Sequence, residues 1–132
     1  MTWFIDASAI VAILGEEDGW QTLAIRLDED GDRLWSAISQ WESAVALAKR
    51  LDMPLDRSQA MVKDFAAQRG FQMVPVGERE GDLASHAAMQ FGERSGHPAK
   101  LNMGDCFAYA CAKANDARLL HKGDDFAPTD LA

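Results

Sequence analysis

Four acids, Asp6, Glu42, Asp105 and Asp124, stand far apart in the chain, each beside a stretch where a strand ends or a helix begins. Oxygen donors with no histidine among them suit a hard dication, magnesium or manganese, rather than zinc. Such an ion lowers the pKa of a bound water and offsets charge on a phosphate in transfer. The chemistry in view is therefore metal-assisted hydrolysis of a phosphodiester. Carboxylates gathered without an ion would repel one another and push some pKa values up, so a dication would also complete the fold at their edge.

Each acid also has a purely structural reading. Glu42 closes a Ser39-Gln40-Trp41-Glu42 pattern, the signature of a capping box. Asp105 lies three residues after Asn102, a good N-cap, where an acid complements the helix dipole. Asp124 and Asp125 flank Gly123 as turn formers do. Asp6 directly follows the apolar run Trp3-Phe4-Ile5, where an acid is costly unless it has a task. The combination is more specific than any member.

Positioning these residues requires strands that alternate with helices. The stretch 102–112 reads as a helix start, with Phe107, Ala108, Cys111 and Ala112 on its apolar stripe. Residues 3–5 predict a buried strand, and Ile10, Val11, Ile13 and Leu14 a short helix ending near Gly15. A second short helix spans 20–27, and a second strand 33–36. A long helix then runs to Leu51, with Trp41, Ala44, Val45 and Ala48 as its apolar face. Pro54 separates it from a helix over 56–69, with Met61, Val62, Phe65 and Ala66 inward. Residues 71–76 form a third strand cut short by Pro75, and 78–92 a helix with Leu83, Ala87, Ala88 and Phe91 on one face. Residues 118–121 supply a fourth strand, and 128–132 either a last edge strand or a loose end.

The alternation predicts an α/β fold, a parallel β-sheet covered by helices on both faces, in one domain spanning 1–132. In such sheets sites form at the carboxyl ends of the strands, which is where all four acids fall. Helix N-termini at Glu42 and Asp105 favour the ionised carboxylate. Lys100 and Lys122 flank the predicted site as candidate phosphate contacts. Lys49, Arg50, Arg57, Lys63 and Arg69 read as solvated helix faces. Trp3, Trp35 and Trp41 read as core, and Trp20 as the tryptophan best placed for a partner surface.

Composition narrows the classes further. The 132 residues carry 13 basic and 21 acidic side chains, a net charge of −8. That excludes a nucleic-acid clamp working by bulk positive charge, but not an enzyme whose acids surround a metal. The two cysteines, Cys106 and Cys111, fall on different helix faces, so a mutual disulfide is not expected, and a reducing cytoplasm fits. No apolar run approaches a membrane span, and Asp6 interrupts any secretory pattern. A signalling receiver domain needs paired acids after the first strand and an acceptor after the third, and Val74-Pro75-Val76-Gly77 offers none. A haloacid-type phosphatase needs Asp-x-Asp where this chain has Asp6-Ala7-Ser8.

Four motifs, in order, resemble those of the PIN domain, and most closely the VapC toxins of bacterial toxin–antitoxin pairs. They are Phe4-Ile5-Asp6-Ala7-Ser8-Ala9-Ile10, the Trp41-Glu42 helix, the run from Asn102 to Ala110, and Leu119-Leu120-His121-Lys122-Gly123-Asp124-Asp125-Phe126. The resemblance covers nearly the whole chain. It implies a three-layer α/β/α sandwich and a Mg2+- or Mn2+-dependent endoribonuclease. Asp6, Glu42, Asp105 and Asp124 would be its acidic, metal-binding quartet, with Ser8 assisting and Asp125 the alternative to Asp124. It also implies a homodimer and a VapB-type antitoxin covering the acidic groove, with operator DNA met only through that antitoxin. The rival within the fold is an inactive module that only binds RNA or a protein.

Overall fold

Side chains alternate across a strand, so a short apolar strand feeds two cores at once. β1 (Thr2–Ile5) does this: Trp3 and Ile5 join one buried cluster and Phe4 the other. β2 (Asp32–Trp35) and β4 (Arg118–Leu120) split in the same way, Leu34 and Leu119 siding with Phe4, Trp35 and Leu120 with Ile5. The computed structural model describes residues 1–123 and 126–131. Asp124 and Asp125 lie outside the described residues.

The four strands pair in the order β3-β2-β1-β4, all parallel. β1 is central, with Phe4 level with both Leu34 and Leu119. On the face of Trp3 and Ile5 lie α1 (Ala7–Leu14), α2 (Trp20–Leu27), α3 (Ala37–Leu51) and α4 (Leu55–Gln68), through Ile10, Leu27, Leu47 and Val62. On the face of Phe4 lie α5 (Glu78–Phe91) and α6 (Met103–Ala114), and α6 is buried on most sides. The result is the expected α/β architecture, a parallel sheet between two helical layers.

Several elements differ from the pattern reading. β3 (Gln72–Met73) keeps two of its six expected residues. One further bond, from the Val74 N–H to the Trp35 carbonyl at 2.8 Å, extends it as far as Pro75. Residues 126–131 form turns and no edge strand, held by the Thr129 hydroxyl donating to the Phe126 carbonyl at 2.7 Å.

The larger correction concerns α3. Its inner stripe is Ser39, Ser43, Ala44 and Leu47, not Trp41, Ala44, Val45 and Ala48. The serines can go inside because their hydroxyls bond locally. Ser43 donates to the Ser39 carbonyl at 2.6 Å, and Ser39 donates to the Ser36 carbonyl at 3.0 Å. Trp41 is turned outward, 61% exposed. Trp20, expected outside, is partly buried against the Ile5 cluster.

Candidate active site

The wall begins at the end of β1. The Asp6 N–H continues the ladder by donating to the Leu120 carbonyl at 2.9 Å, so the residue is fixed at the carboxyl edge of the sheet. Asp6 is then the N-cap of α1: its Oδ2 accepts from the Ser8 N–H at 3.0 Å, and it is only 6% exposed. The pattern reading attached no cap to Asp6. Ser8 in turn accepts at Oγ from the Lys122 N–H at 2.9 Å, tying the first helix to the loop after β4.

Asp105 enters from the opposite layer at the first turn of α6. Asn102 caps that helix as expected, and the box is reciprocal. Asn102 Oδ1 accepts from the Asp105 N–H at 2.9 Å, and Asp105 Oδ2 accepts from the Asn102 N–H at 3.1 Å. The cap orients the carboxylate while leaving it on the rim of a cavity.

Glu42 arrives by a different route from the one its sequence suggested. The capping box of α3 is Ser36 with Ser39, so the helix starts three residues earlier and Glu42 stands in its second turn. It is not a cap acid, and the helix dipole, which fades beyond the first turn, gives it little support. Burial, the Asp6 charge and the Asp105 charge instead push its pKa up from 4.5 to about 7. Its carboxylate also lies over Gly104, where a side-chain Cβ would overlap it. Glycine in the first turn of α6 is what lets α3 and α6 bring their acids together.

Asp6, Glu42 and Asp105 line one cavity of about 640 Å³. Three carboxylates from separate elements, two of which raise the charging cost of Glu42, are a donor set a hard dication would relieve. The described residues do not by themselves form a closed cluster of three ligating side chains. Asp124 and Asp125, expected to complete it, lie outside those residues.

Lys122 also lines the cavity, where its Nζ meets Glu17 Oε1 at 2.5 Å; Arg50 reaches the other oxygen of Glu17 at 3.4 Å. Lys100 is exposed in a left-handed turn (φ 48°) and is not part of this wall. Two lining residues read differently from sequence, Trp41 as core and Lys49 as a solvated helix face. For Lys49 a signal existed. Glu42, Val45, Ala46 and Lys49 follow i, i+3, i+4, i+7, so any face presenting Glu42 presents the other three.

The PIN-domain family model matches residues 3–131. A VapC ribonuclease of Rhizobium meliloti is 39% identical over 140 residues, covering 97% of this chain and 98% of that protein. Ribonuclease VapC28 of Mycobacterium tuberculosis is 39% identical over 127 residues, covering 96% and 93%. Among solved structures, Mycobacterium tuberculosis VapC20, described as a sarcin–ricin loop cleaving toxin, superposes with a TM-score of 0.75 at 17% identity, over 98% of this chain and 96% of that one.

Proposed function

The chain belongs to the PIN-domain family, and we propose that it is a metal-dependent endoribonuclease, the toxin of a toxin–antitoxin pair, acting as a single domain. The observation that carries this reading is the convergence of Asp6, Glu42 and Asp105, from three separate elements, on one cavity. Asp6, Glu42 and Asp105, with Asp124 or Asp125, would hold Mg2+ or Mn2+. When bound, the ion supplies the Lewis acidity that ionises a water and offsets charge on the phosphate.

The remaining work falls to the chain. The cap bond from Ser8 keeps Asp6 in one rotamer, and the Asn102 box does the same for Asp105. Both carboxylates are thus preorganised, so little reordering is needed when substrate arrives. Glu42, on a third element, orients the attacking water toward the phosphorus. Lys122 and Lys49 supply positive charge to a wall otherwise dominated by acids.

The partners follow from the same surface. A net charge of −8 and an acidic cavity suit a basic segment of a VapB-type antitoxin. The toxin works as a homodimer and reaches operator DNA only through the antitoxin. Two buried, free cysteines suit the reducing cytoplasm. No helix among the described residues is long and apolar enough to cross a membrane.

The test is cleavage of a total RNA pool with Mg2+ or Mn2+, with a chelator, and with Asp105→Asn. Cleavage should need the metal and vanish in the variant while circular dichroism stays unchanged. A well-folded Asp105→Asn protein that still cuts overturns the assignment.

A further inference from the structure

Trp41 is the one tryptophan among the four that is largely exposed, and it lines the same cavity as the acids. A large aromatic left 61% exposed gives up burial that Trp3 and Trp35, at 4% and 5%, obtain. It stands on α3 next to Glu42, with half-buried Val45 and exposed Ala46 continuing an apolar strip along the helix. The strip ends at Lys49. That lysine is exposed and enters no ion pair among the described residues, whereas Lys122 is taken by Glu17. Eight residues of helix set Trp41 and Lys49 about 12 Å apart.

An aromatic face, an apolar strip and a free cation in line along one wall, with carboxylates beside them, match a nucleotide chain in its own order. A base lies on the ring, a ribose on the strip and a phosphate on the ammonium. We propose that α3 is the substrate rail of this site, that Trp41 stacks an unpaired base beside the scissile phosphate, and that Lys49 takes a neighbouring phosphate. Such stacking requires the base beside the cut to be out of a duplex, because a base inside a duplex has no free face for Trp41. The proposal rests on the nuclease reading of the cavity and adds how the strand is held there. At this strip the exposed Lys49 favours a nucleic acid over the basic antitoxin segment that suits the acids, because like charges repel while a phosphate pairs with the ammonium.

The full-length protein tests this in two arms. In the first, KM and kcat are measured on a single-stranded oligoribonucleotide series in which one nucleotide at a time is made abasic. Trp41→Ala should raise KM about tenfold, with the loss on KM rather than kcat, and Trp41→Phe should recover most of it. One abasic position should reproduce the loss in wild type and add nothing to it in Trp41→Ala. Lys49→Gln should raise KM and lower the slope of log KM against log salt by about one phosphate contact.

In the second arm, wild type, Trp41→Phe and Lys49→Gln are titrated with an uncleavable 2′-O-methyl oligonucleotide, following tryptophan emission. Wild type should be quenched and Trp41→Phe should lose the quenchable component. This arm stands whether or not the protein cuts RNA, so a failure of the nuclease reading and a failure of the rail are told apart. The rail is overturned by an unchanged KM in Trp41→Ala, by additivity with every abasic position, or by absence of quenching. It is equally overturned if Trp41→Ala turns a dimer into a monomer by light scattering and its KM recovers at high protein concentration, which would make Trp41 a contact with a second copy.

Discussion

Glu42 sits where burial and two neighbouring carboxylates all oppose its charge. Its pKa is near 7 in the folded protein and 4.5 when the chain is unfolded. A raised folded pKa means the unfolded state releases the proton first. The contribution of this group to stability is therefore complete below about pH 4.5 and is lost as pH rises through 7. The carboxylate is only half-buried, so solvent screening makes the loss smaller than the full shift would give. The metal-free protein, held in chelator, should melt at falling temperature between pH 5 and 8 more steeply than Glu42→Gln does. Excess Mg2+ above pH 7 should reverse the fall in wild type. Identical pH profiles for the two proteins would refute the assignment. At this scale the residue types were legible and their duties only partly so. Asp6 reads as a metal-type acid because it follows an apolar strand, yet the same position makes it a helix cap. Lys122 reads as a phosphate contact, but its pairing with Glu17 across 105 residues of chain leaves no mark in either local pattern.

Helix α3 shows why element boundaries decide the meaning of a motif. Ser36 and Ser39 both qualify as caps, and only the structure shows that the earlier one takes the role, which moves Glu42 from a cap to a wall. The inner stripe was misread for a related reason. Serines that bond back to their own helix pack inside at little cost, so a stripe chosen by apolar residues alone takes in Trp41 and passes over Ser39 and Ser43. The start of α6, in contrast, was plain from Asn102 and Asp105 because the reciprocal box is entirely local. The two helices meet at Gly104. Gly104→Ala adds a good helix former, but the new Cβ overlaps the Glu42 carboxylate and must displace it. The variant should keep its helical content and lose about 10²-fold in cleavage rate, the scale of a misplacement of about 1 Å. Full activity in Gly104→Ala would show that Glu42 tolerates being moved.

The sheet was readable as a whole because each strand sits in a short apolar run between helix signals, and parallel pairing follows from the alternation. Its order was not readable, since which strand lies beside β1 is settled by long-range packing: Phe4 against Leu34 and Leu119. That order has a consequence for when the protein becomes dangerous. Asp6 is anchored by Leu120, and Ser8 by Lys122 across 114 residues. A chain still being made has the local cap of Asp6 early, but the backbone anchor from Leu120 and the tie from Lys122 to Ser8 come only when the closing strand slides in beside the opening one. Long-range pairings of this kind form late, after the loop entropy has been overcome. On dilution from denaturant, stabilisation by Mg2+ should therefore appear with the slowest folding phase and never ahead of it. Metal response in an earlier phase would contradict this. With the first and last strands latched beside the acidic cavity, the expectation is a chain that gains its metal response, and with it any activity, only when its final strand is in place.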